Sequence, residues 1–409
     1  MNVQDIRKDF PILVHKNTTY PLIYCDNAAT MQKPTRVLNA LMHFYTTTNA
    51  NIYRGIYDLA ENATQAYEEA RQKVAHFIGA DAQEVVFTRG TTEGINFIVS
   101  AWAEQHIGAG DEIVLTELEH HANFIPWQRF AYKKGAVIKY IPVTHEGTLN
   151  LSYLDTIITS KTRLVSMVHV SNAVGTHVNV YPIISAAKAV GARVLIDAAQ
   201  SIAHQPVNVK DLGCDFFVFS GHKMMGPTGI GVLYIAKEMH ASVEPYQVGG
   251  GMVETVTMMH SIWEQPPHKF EAGTPAIAQA IGLGAAIDYY TTNINFDVLQ
   301  MHEAALCEQL IAGLSSYSSI RLLGPLSELK KMGHMVSFLV DGIHSHDVAA
   351  FLNARGIAVR AGHHCAQPFA LILGYDASVR VSFAAYNTHA EVECIIAAIN
   401  ELLHIYKVS

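Results

Sequence analysis

The chain has 409 residues, which is more than one ordinary hydrophobic core holds and suggests about two domains. Half of the residues are hydrophobic and 16% are charged, so the composition is that of a globular protein and not of a disordered one. Lys and Arg number 28 against 36 Asp and Glu, a net charge of −8, and no basic run could follow a phosphate backbone, so a nucleic-acid partner is not expected.

The first residues, MNVQDIRKDFPILV, mix charges with short apolar pieces and lack the uninterrupted apolar core of a secretory signal. Nowhere do about 18 apolar residues run unbroken, so no membrane span is predicted. The five cysteines are odd in number, scattered and without a C-x-x-C pair, which favours neither a disulfide framework nor an iron–sulfur site. We therefore expect a cytoplasmic protein with no membrane partner.

Between residues 22 and 236, short β-rich runs alternate with helix-like segments. The runs are EVVFT (84–88), EIVLT (112–116), RLVSMVHVS (163–171), VLIDAA (194–199), FFVFS (216–220) and GVLYIA (231–236). Apolar runs separated by helices are typical of a largely parallel sheet that is covered on both faces. PIISAAKAVG (182–191), which starts with Pro and ends with Gly, predicts one of the covering helices. This region is predicted to be one α/β domain.

The alternation stops at residues 249–251, where three glycines precede a Met-rich stretch, and AGTPAIAQAIGLGAAIDYY then restarts a long helix. Beyond about residue 295, helical segments alternate with the runs MVSFLV (335–340), IAVRAG (357–362) and VRVSFAAY (379–386), a mixture typical of a smaller α+β domain. We predict an N-terminal segment (1–20) that packs with the small domain, a large domain (21–294) and a small domain (295–409).

Two charged residues end neighbouring apolar runs, and ligands of parallel sheets bind beyond the carboxyl ends of the strands. Lys223 follows FFVFS in a stretch with no other charge, so we expect it to face a specific partner. Asp197 ends VLIDAAQ, where it could cap the next helix or hold a protonated pyridine nitrogen. The interval of 223 − 197 = 26 residues spans one crossover connection, which places both residues at one pocket.

Two further features could bind a planar, phosphorylated ligand. The stretch 90–92, Gly-Thr-Thr, follows a strand and opens a helix, so its N–H groups and hydroxyls could hold a phosphate, or a Thr could be an ordinary N-cap. His120, at the end of EIVLTELEH, could stack on a ring and act as a catalytic residue that shuttles protons, or be an ordinary loop histidine. A lysine, an acid, a phosphate cup and a flat partner together meet the requirements of pyridoxal phosphate.

In these features the sequence resembles the pyridoxal-phosphate enzymes of the class V aminotransferase group, and closely the SufS-type (group II) cysteine desulfurases. The resembling blocks run in order over nearly the whole chain: DNAAT, GTTEGIN, EHHAN, HVSNAVGT, DAAQ, SGHKMMGPTGIG, FEAGTP, RAGHHCAQP and RVSFAAYNT. DAAQ alone is unspecific, whereas so many blocks in one order are specific. The resemblance implies an α/β, fold-type I homodimer with a mainly parallel seven-stranded sheet in the large domain and a smaller α+β C-terminal domain.

The resemblance also implies how individual residues bind the cofactor. Lys223 would form a Schiff base with it and act as a base, Asp197 would face the pyridine nitrogen, and His120 would stack on the ring. The phosphate and the phenolic oxygen would be bound by Thr91, Thr92, Ser220, His222 and Gln200, with Thr274 of FEAGTP reaching the phosphate in the neighbouring subunit's site.

The substrate side is implied in the same way. Asn172, Arg360 and Arg380 would hold the carboxylate of L-cysteine, or of L-selenocysteine in a selenocysteine lyase, the nearest alternative. A lone cysteine is usually a small buried thiol. Cys365, however, lies on a loop with glycine and histidines, where neighbouring imidazoles could favour the thiolate that attacks sulfur. The products would be L-alanine and a persulfide that passes to a SufE- or SufU-type acceptor or a cluster scaffold for iron–sulfur assembly.

Two residues depart from the family pattern: Tyr53 stands where relatives often have histidine, and Met225 where many have tyrosine. His344 and His346 could help a zinc-bearing acceptor to dock, or could form an ordinary turn and helix cap. Two functions of other classes are a non-catalytic assembly protein and a zinc-dependent hydrolase. The hydrolase would take its ligands from His120, His121, His363, His364 and Cys365, although their spacing matches no zinc motif and no metal ligand set is expected.

Overall fold

The structure is a computed structural model that describes residues 2–14 and 20–407; residue 1 and residues 15–19 of the predicted N-terminal segment, and residues 408–409, lie outside the described residues. The strands are β1 (Ile23–Tyr24), β2 (Val85–Thr88), β3 (Glu112–Thr116), β4 (Val137–Ile141), β5 (Thr162–Val168), β6 (Arg193–Asp197), β7 (Phe216–Ser220), β8 (Gly231–Ile235), β9 (Val253–Val256), β10 (Ser261–Trp263), β11 (Ile320–Leu323), β12 (Met335–Val340), β13 (Ile357–Ala358), β14 (Arg360–Gly362) and β15 (Ser378–Ser382).

Helices cover both faces of the sheets and connect the strands. They are α1 (Val3–Lys8), α2 (Pro11–Val14), α3 (Thr35–His43), α4 (Asp58–Ile78), α5 (Thr91–Ile98), α6 (Glu104–His106), α7 (Ile125–Lys134), α8 (Leu154–Ile157), α9 (Val180–Ala189), α10 (Val209–Leu212), α11 (Ile277–Asn293), α12 (Phe296–Leu314), α13 (Leu326–Met332), α14 (Ser345–Asn353), α15 (Gln367–Ile372) and α16 (His389–Tyr406). Among the described residues, none of these helices combines the length and apolar content that crossing a bilayer requires.

The largest sheet has seven strands in the order β2-β8-β7-β6-β5-β3-β4. The pairs from β4 to β7 are parallel, whereas β8 runs antiparallel to both of its neighbours. All residues of β3, β7 and β8 are buried, which explains why these strands read as continuous apolar runs. The predicted mainly parallel seven-stranded sheet is confirmed.

One strand of this sheet, β4, was absent from the predicted runs. It lies at the edge of the sheet, only Ile141 is buried, and Lys139 forms an ion pair of 2.9 Å with Glu112 of β3. Because an edge strand needs apolar residues on one side at most, its sequence lacks the unbroken apolar run that identified the other six strands.

A second sheet has four antiparallel strands in the order β11-β12-β15-β14. The predicted run 357–362 is divided, because β13 pairs with β1 in parallel whereas β14 joins the second sheet. Helices α12, α14 and α16 pack with this sheet around a hydrophobic core of their own. Phe10 packs on Tyr386 at 4.6 Å and on Tyr289 of α11 at 5.9 Å, so the N-terminal residues contact both regions.

Candidate active site

A cavity of about 300 Å³ lies beyond the carboxyl ends of the central strands, where β14 and β15 of the second sheet cover the first. Twelve of the thirteen predicted site residues line it: Thr91, Thr92, His120, Asn172, Asp197, Gln200, Ser220, His222, Lys223, Arg360, Cys365 and Arg380. The exception is Thr274, which lines a separate cavity of about 450 Å³ beside Tyr53. That Thr274 binds the phosphate in the neighbouring subunit's site therefore stays a prediction.

Lys223 ends the short turn Gly221–Lys223 that follows β7. Burial lowers the pKa of its amine to about 8; Asp197 opposes this shift and Arg380 adds to it. Within the described part of the chain, its Nζ has no hydrogen-bond partner. A neutral, nucleophilic fraction of the amine is therefore present near physiological pH, and it is free to react.

Asp197 is buried at the end of β6, which pairs in parallel with β7, so the predicted placement of Asp197 and Lys223 on neighbouring strands is confirmed. The Ala199 N–H donates to Asp197 Oδ1 at 2.9 Å. Burial raises the pKa of this carboxyl, while the Ala199 N–H and the Lys223 charge oppose the increase. This environment suits a carboxylate that exchanges its hydration for a protonated ring nitrogen.

The predicted phosphate cup forms at the start of α5. Gly90 is the N-cap residue with φ 153° and offers no side-chain cap, so the alternative that Thr91 or Thr92 is the N-cap is wrong. The Thr91 N–H donates to Ser220 Oγ at 2.9 Å, and the two hydroxyls lie 2.9 Å apart. A Cβ on Gly90 would lie 3.1 Å from Ser220 Oγ, so glycine keeps the space between them open. Hydroxyls around a helix start whose N-cap residue has no side chain suit an anion.

His120 and Cys365 lie on two loops that are joined by their backbones. The Ala122 N–H donates to His120 Nδ1 at 2.9 Å, which fixes the ring. Burial, followed by the charge of Lys223, lowers the pKa of His120 to about 3, so its ring is neutral. The His121 N–H donates to the Cys365 carbonyl at 2.7 Å. The loop after β14 is thereby held against the loop after β3.

Cys365 is exposed at the mouth of the cavity, and both it and His364 have a positive φ, 57° and 53°. The idea that neighbouring imidazoles favour its thiolate is wrong for His364, because burial and two arginines lower the pKa of that ring to about 2. The cations that interact with Cys365 are instead Lys223, Arg360 and Arg380. Their convergence depends on tertiary packing and carries no local sequence signal.

The residues predicted to bind the substrate carboxylate lie around Arg380, whose side chain is 2% exposed. Arg380 donates through Nη1 to the Asn172 carbonyl at 2.6 Å, whereas its Nε and Asn172 Oδ1 are buried without partners. Burial lowers the pKa of Arg380 to about 10. The alternative of an exposed, merely solvated Arg380 is therefore wrong. Asp26, which the sequence analysis missed as a site residue, contacts both Arg380 and Arg360.

Gln200 and His222 line the same cavity with the cofactor residues described above. Gln200 donates through Nε2 to the Ala28 carbonyl at 2.8 Å, which leaves its second amide hydrogen available. Burial lowers the pKa of His222 to about 4, and the charges of Lys223 and Lys33 add to this effect, so the ring is neutral. A neutral imidazole contributes a hydrogen bond to an anion, not a charge.

The residues outside the cavity allow two alternatives to be assessed. His344 accepts a hydrogen bond from the His346 N–H at 3.3 Å and caps α14, as the helix-cap interpretation predicted. Among the described residues, no three His, Cys, Asp or Glu side chains approach closely enough to hold one metal ion. The zinc-hydrolase alternative therefore lacks a ligand set here, whereas a free amine, a buried acid and an uncapped helix start fit pyridoxal phosphate.

Comparisons with known proteins agree with this assignment. The family model "Aminotransferase class-V" matches residues 23–395. A probable cysteine desulfurase of Halalkalibacterium halodurans is 45% identical over 396 residues, which cover 97% of this chain and 96% of the relative. Probable cysteine desulfurase 1 of Mycobacterium leprae is 46% identical over 402 residues; the match covers 98% of this chain but only 65% of that longer protein.

Among solved structures, the apo cysteine desulfurase of Thermococcus onnurineus NA1 superimposes with a TM-score of 0.94. It is 42% identical, and the match covers 99% of both chains. The fold, the cavity and these matches agree with one another. The chain therefore belongs to the class V aminotransferase family.

Proposed function

We propose that the protein is a pyridoxal-phosphate-dependent cysteine desulfurase, which takes sulfur from L-cysteine and leaves L-alanine. One observation carries this proposal: an unpartnered amine at Lys223, a buried acid at Asp197 and an exposed thiol at Cys365 line a single cavity. A plain aminotransferase needs the amine and the acid but not a thiol at the mouth. Full-length relatives named cysteine desulfurase support the same function.

The cofactor would be held by residues from four strand ends of the large sheet, those of β2, β3, β6 and β7. Lys223 would bind it covalently, Asp197 would face its ring nitrogen and His120 would stack on its ring. The phosphate and phenolic oxygen would be bound by Thr91, Thr92, Ser220, His222 and Gln200, and by Thr274 of a second subunit. When bound, the cofactor would supply an aldehyde that joins to amines and a ring that withdraws electrons from the substrate's Cα.

Lys223 would then move a proton at the substrate's Cα. Its pKa of about 8 suits a base at physiological pH, since part of the amine is neutral there and still basic. The neutral His120 ring, with a pKa of about 3, would pack on the cofactor without adding a positive charge beside that amine. The two residues thus separate proton transfer from ring stacking.

The substrate would be oriented by its carboxylate. Arg380 is buried with an unpartnered Nε, so a carboxylate at this position would satisfy a donor that otherwise has no acceptor. Asn172 forms hydrogen bonds to β15 and to the Cys365 loop. Its carbonyl accepts from Arg380 Nη1, and its Nδ2 donates to the His364 carbonyl at 2.5 Å. Asn172 would therefore align the guanidinium and the Cys365 loop with respect to each other.

Cys365 would receive the sulfur. Its thiolate attacks the sulfur of bound L-cysteine, and the bond between that sulfur and Cβ breaks. The electron pair of the broken bond remains on carbon, which takes up a proton and leaves as L-alanine. The transferred sulfur becomes the outer atom of a persulfide on Cys365. The exposure of Cys365 would allow an acceptor to reach the persulfide.

We further propose that a SufE- or SufU-type protein or a cluster scaffold accepts this sulfur for iron–sulfur assembly, and that the enzyme is a homodimer. The separate position of Thr274, outside the cavity of its own chain, supports the dimer.

A cytoplasmic location suits the free thiols, because reducing compartments keep cysteines unpaired. We also propose the domain division at residues 20/21 and 294/295, since α11 ends at Asn293 and α12 begins at Phe296.

The test uses purified protein loaded with pyridoxal phosphate. Adding L-cysteine should release L-alanine, and peptide mapping should place a persulfide on the peptide that contains Cys365. Cys394 is a matched control, because it is also an exposed free cysteine. Persulfide on another cysteine would contradict the role of Cys365. Alanine release from L-selenocysteine together with unreactive L-cysteine would favour a selenocysteine lyase.

A further inference from the structure

Two arginines of the second sheet face each other directly. Arg360 of β14 and Arg380 of β15 are opposite partners in the antiparallel register, so their side chains lie on the same face of the sheet. Like charges at directly opposed positions destabilise a sheet. Both arginines also line the cavity. The pair therefore requires a compensating anion.

Asp26 provides that anion. Arg360 donates through Nε to both Asp26 oxygens at 3.1 Å and through Nη2 to Asp26 Oδ2 at 2.9 Å. Arg380 donates to Asp26 Oδ1 through Nη2, at the longer distance of 3.3 Å. The carboxylate thus contacts both guanidinium groups but binds mainly the one from Arg360.

The backbone holds Asp26 in this place. Asp26 pairs in parallel with Ser382, which lies two residues beyond Arg380 on β15 and therefore on the same side of the strand. The Ala28 N–H donates to Ser382 Oγ at 2.9 Å, and the Ser382 N–H donates to the Cys25 carbonyl at 2.8 Å. Bonds on both sides of Asp26 leave its carboxylate little freedom to move away from the arginines.

The charge balance decides how many carboxylates this part of the cavity accepts. Two guanidinium groups and one carboxylate leave one net positive charge. Arg360 donates to Asp26 through Nε and Nη2, whereas Arg380 has a buried Nε without a partner. The second charged pair of the cavity, Lys223 and Asp197, carries opposite signs. One arginine therefore remains available for one substrate carboxylate.

We propose that Asp26 determines substrate specificity by occupying Arg360, so that the cavity accepts amino acids with one carboxylate and discriminates against those with two. The inference rests on the proposed function only in that the ligand is an amino acid held through its α-carboxylate. Without Asp26, the second guanidinium group is free to bind a carboxylate on the substrate side chain. Asp26 is thus a positioning residue for Arg360 and does not itself contact the reacting atoms.

The experiment measures amino-acid binding to the pyridoxal-phosphate-loaded enzyme by the change in cofactor absorbance. L-aspartate and L-asparagine are a matched pair, because they differ mainly in the charge of one side chain. Asp26→Asn should raise the ratio of aspartate to asparagine affinity by about tenfold, the effect of about 1.4 kcal/mol of charge interaction. Arg360→Gln should lower the ratio, and the double variant should return to within about twofold of the wild-type value, because each pair of charges then cancels.

A purely structural role for Asp26 gives a different result. In that case, Asp26→Asn weakens the binding of both ligands equally and the ratio of their affinities stays at the wild-type value; this outcome overturns the proposal. Arg360→Gln alone is a second, independent test, because the Arg360 side chain is 48% exposed and its replacement leaves the hydrophobic core intact. An unchanged ratio in that variant also overturns the proposal. The binding ratio is measured without turnover, so a failure to release alanine from cysteine would count against the proposed function and not against this inference.

Discussion

The two reactive groups of the cavity lie in opposite environments. Lys223 follows a central strand whose residues are all buried, and burial lowers the pKa of its amine to about 8. Cys365 follows β14 at the edge of the second sheet, is exposed, and lies in a left-handed backbone conformation. Proton transfer at carbon benefits from a desolvated amine, whereas a sulfur carrier must be reachable from solvent. In the proposed mechanism, the cavity joins a buried region for carbon chemistry to an exposed region for sulfur transfer.

The largest effect should come from breaking the buried half of this comparison. Lys223→Ala removes both the covalent link to the cofactor and the base, so alanine formation should fall by about 10³-fold or more. Lys33 is the matched lysine, because burial also lowers its pKa to about 8 but its Nζ donates to the His222 carbonyl at 3.1 Å. Borohydride reduction of the loaded enzyme should therefore attach the cofactor to the Lys223 peptide; label on the Lys33 peptide would contradict the assignment.

Breaking the exposed half should have the next largest effect. Cys365→Ala leaves cofactor binding and its absorbance intact but removes the sulfur acceptor, so alanine formation from L-cysteine should fall by about a hundredfold. Cys394→Ala, at the other exposed cysteine, should retain wild-type activity. Equal activity of the two variants would contradict the role of Cys365 as the sulfur acceptor.

Much of this comparison could be read from the sequence, and the reason is physical. Buried strands are apolar throughout, so the polar residues that end them, such as Asp197 and Lys223, were conspicuous. The edge strand β4 was missed because half-exposed strands lack that contrast. Asp26 was missed as a site residue, because its role depends on the pairing of residues 26 and 382, which no local pattern encodes.

The protonation of the Cys365 surroundings could not be predicted either. His364 follows His363 directly, yet only His364 is buried, with Nε2 bonded to Ser378 Oγ at 2.9 Å. The sequence suggested that imidazoles would polarise the thiol, whereas burial lowers the pKa of His364 to about 2 and so keeps that ring neutral. Burial, and hence the pKa of the imidazole, is a property of tertiary packing.

The pH dependence of cofactor capture would sharpen the comparison further. Only a neutral amine attacks an aldehyde, so the rate at which cofactor-free protein captures pyridoxal phosphate should rise with pH, with a midpoint near 8. An exposed lysine would give a midpoint of about 10.4. The measurement is borohydride trapping at a series of pH values. A midpoint above about 10 would mean that Lys223 is solvated like a surface lysine.

The smallest predicted effect concerns the acid that faces this amine. The Asp197 charge raises the pKa of Lys223, so Asp197→Asn should move the midpoint of cofactor capture to lower pH, by about one unit or less. Asp215 is a matched control, because it is buried but its carboxylate bonds the Val194 N–H at 2.8 Å and Arg193 at 3.0 Å. Asp215→Asn should leave the midpoint near 8. A shift to higher pH in Asp197→Asn would show that the carboxylate does not stabilise the protonated amine, since loss of a stabilising anion can only lower that pKa.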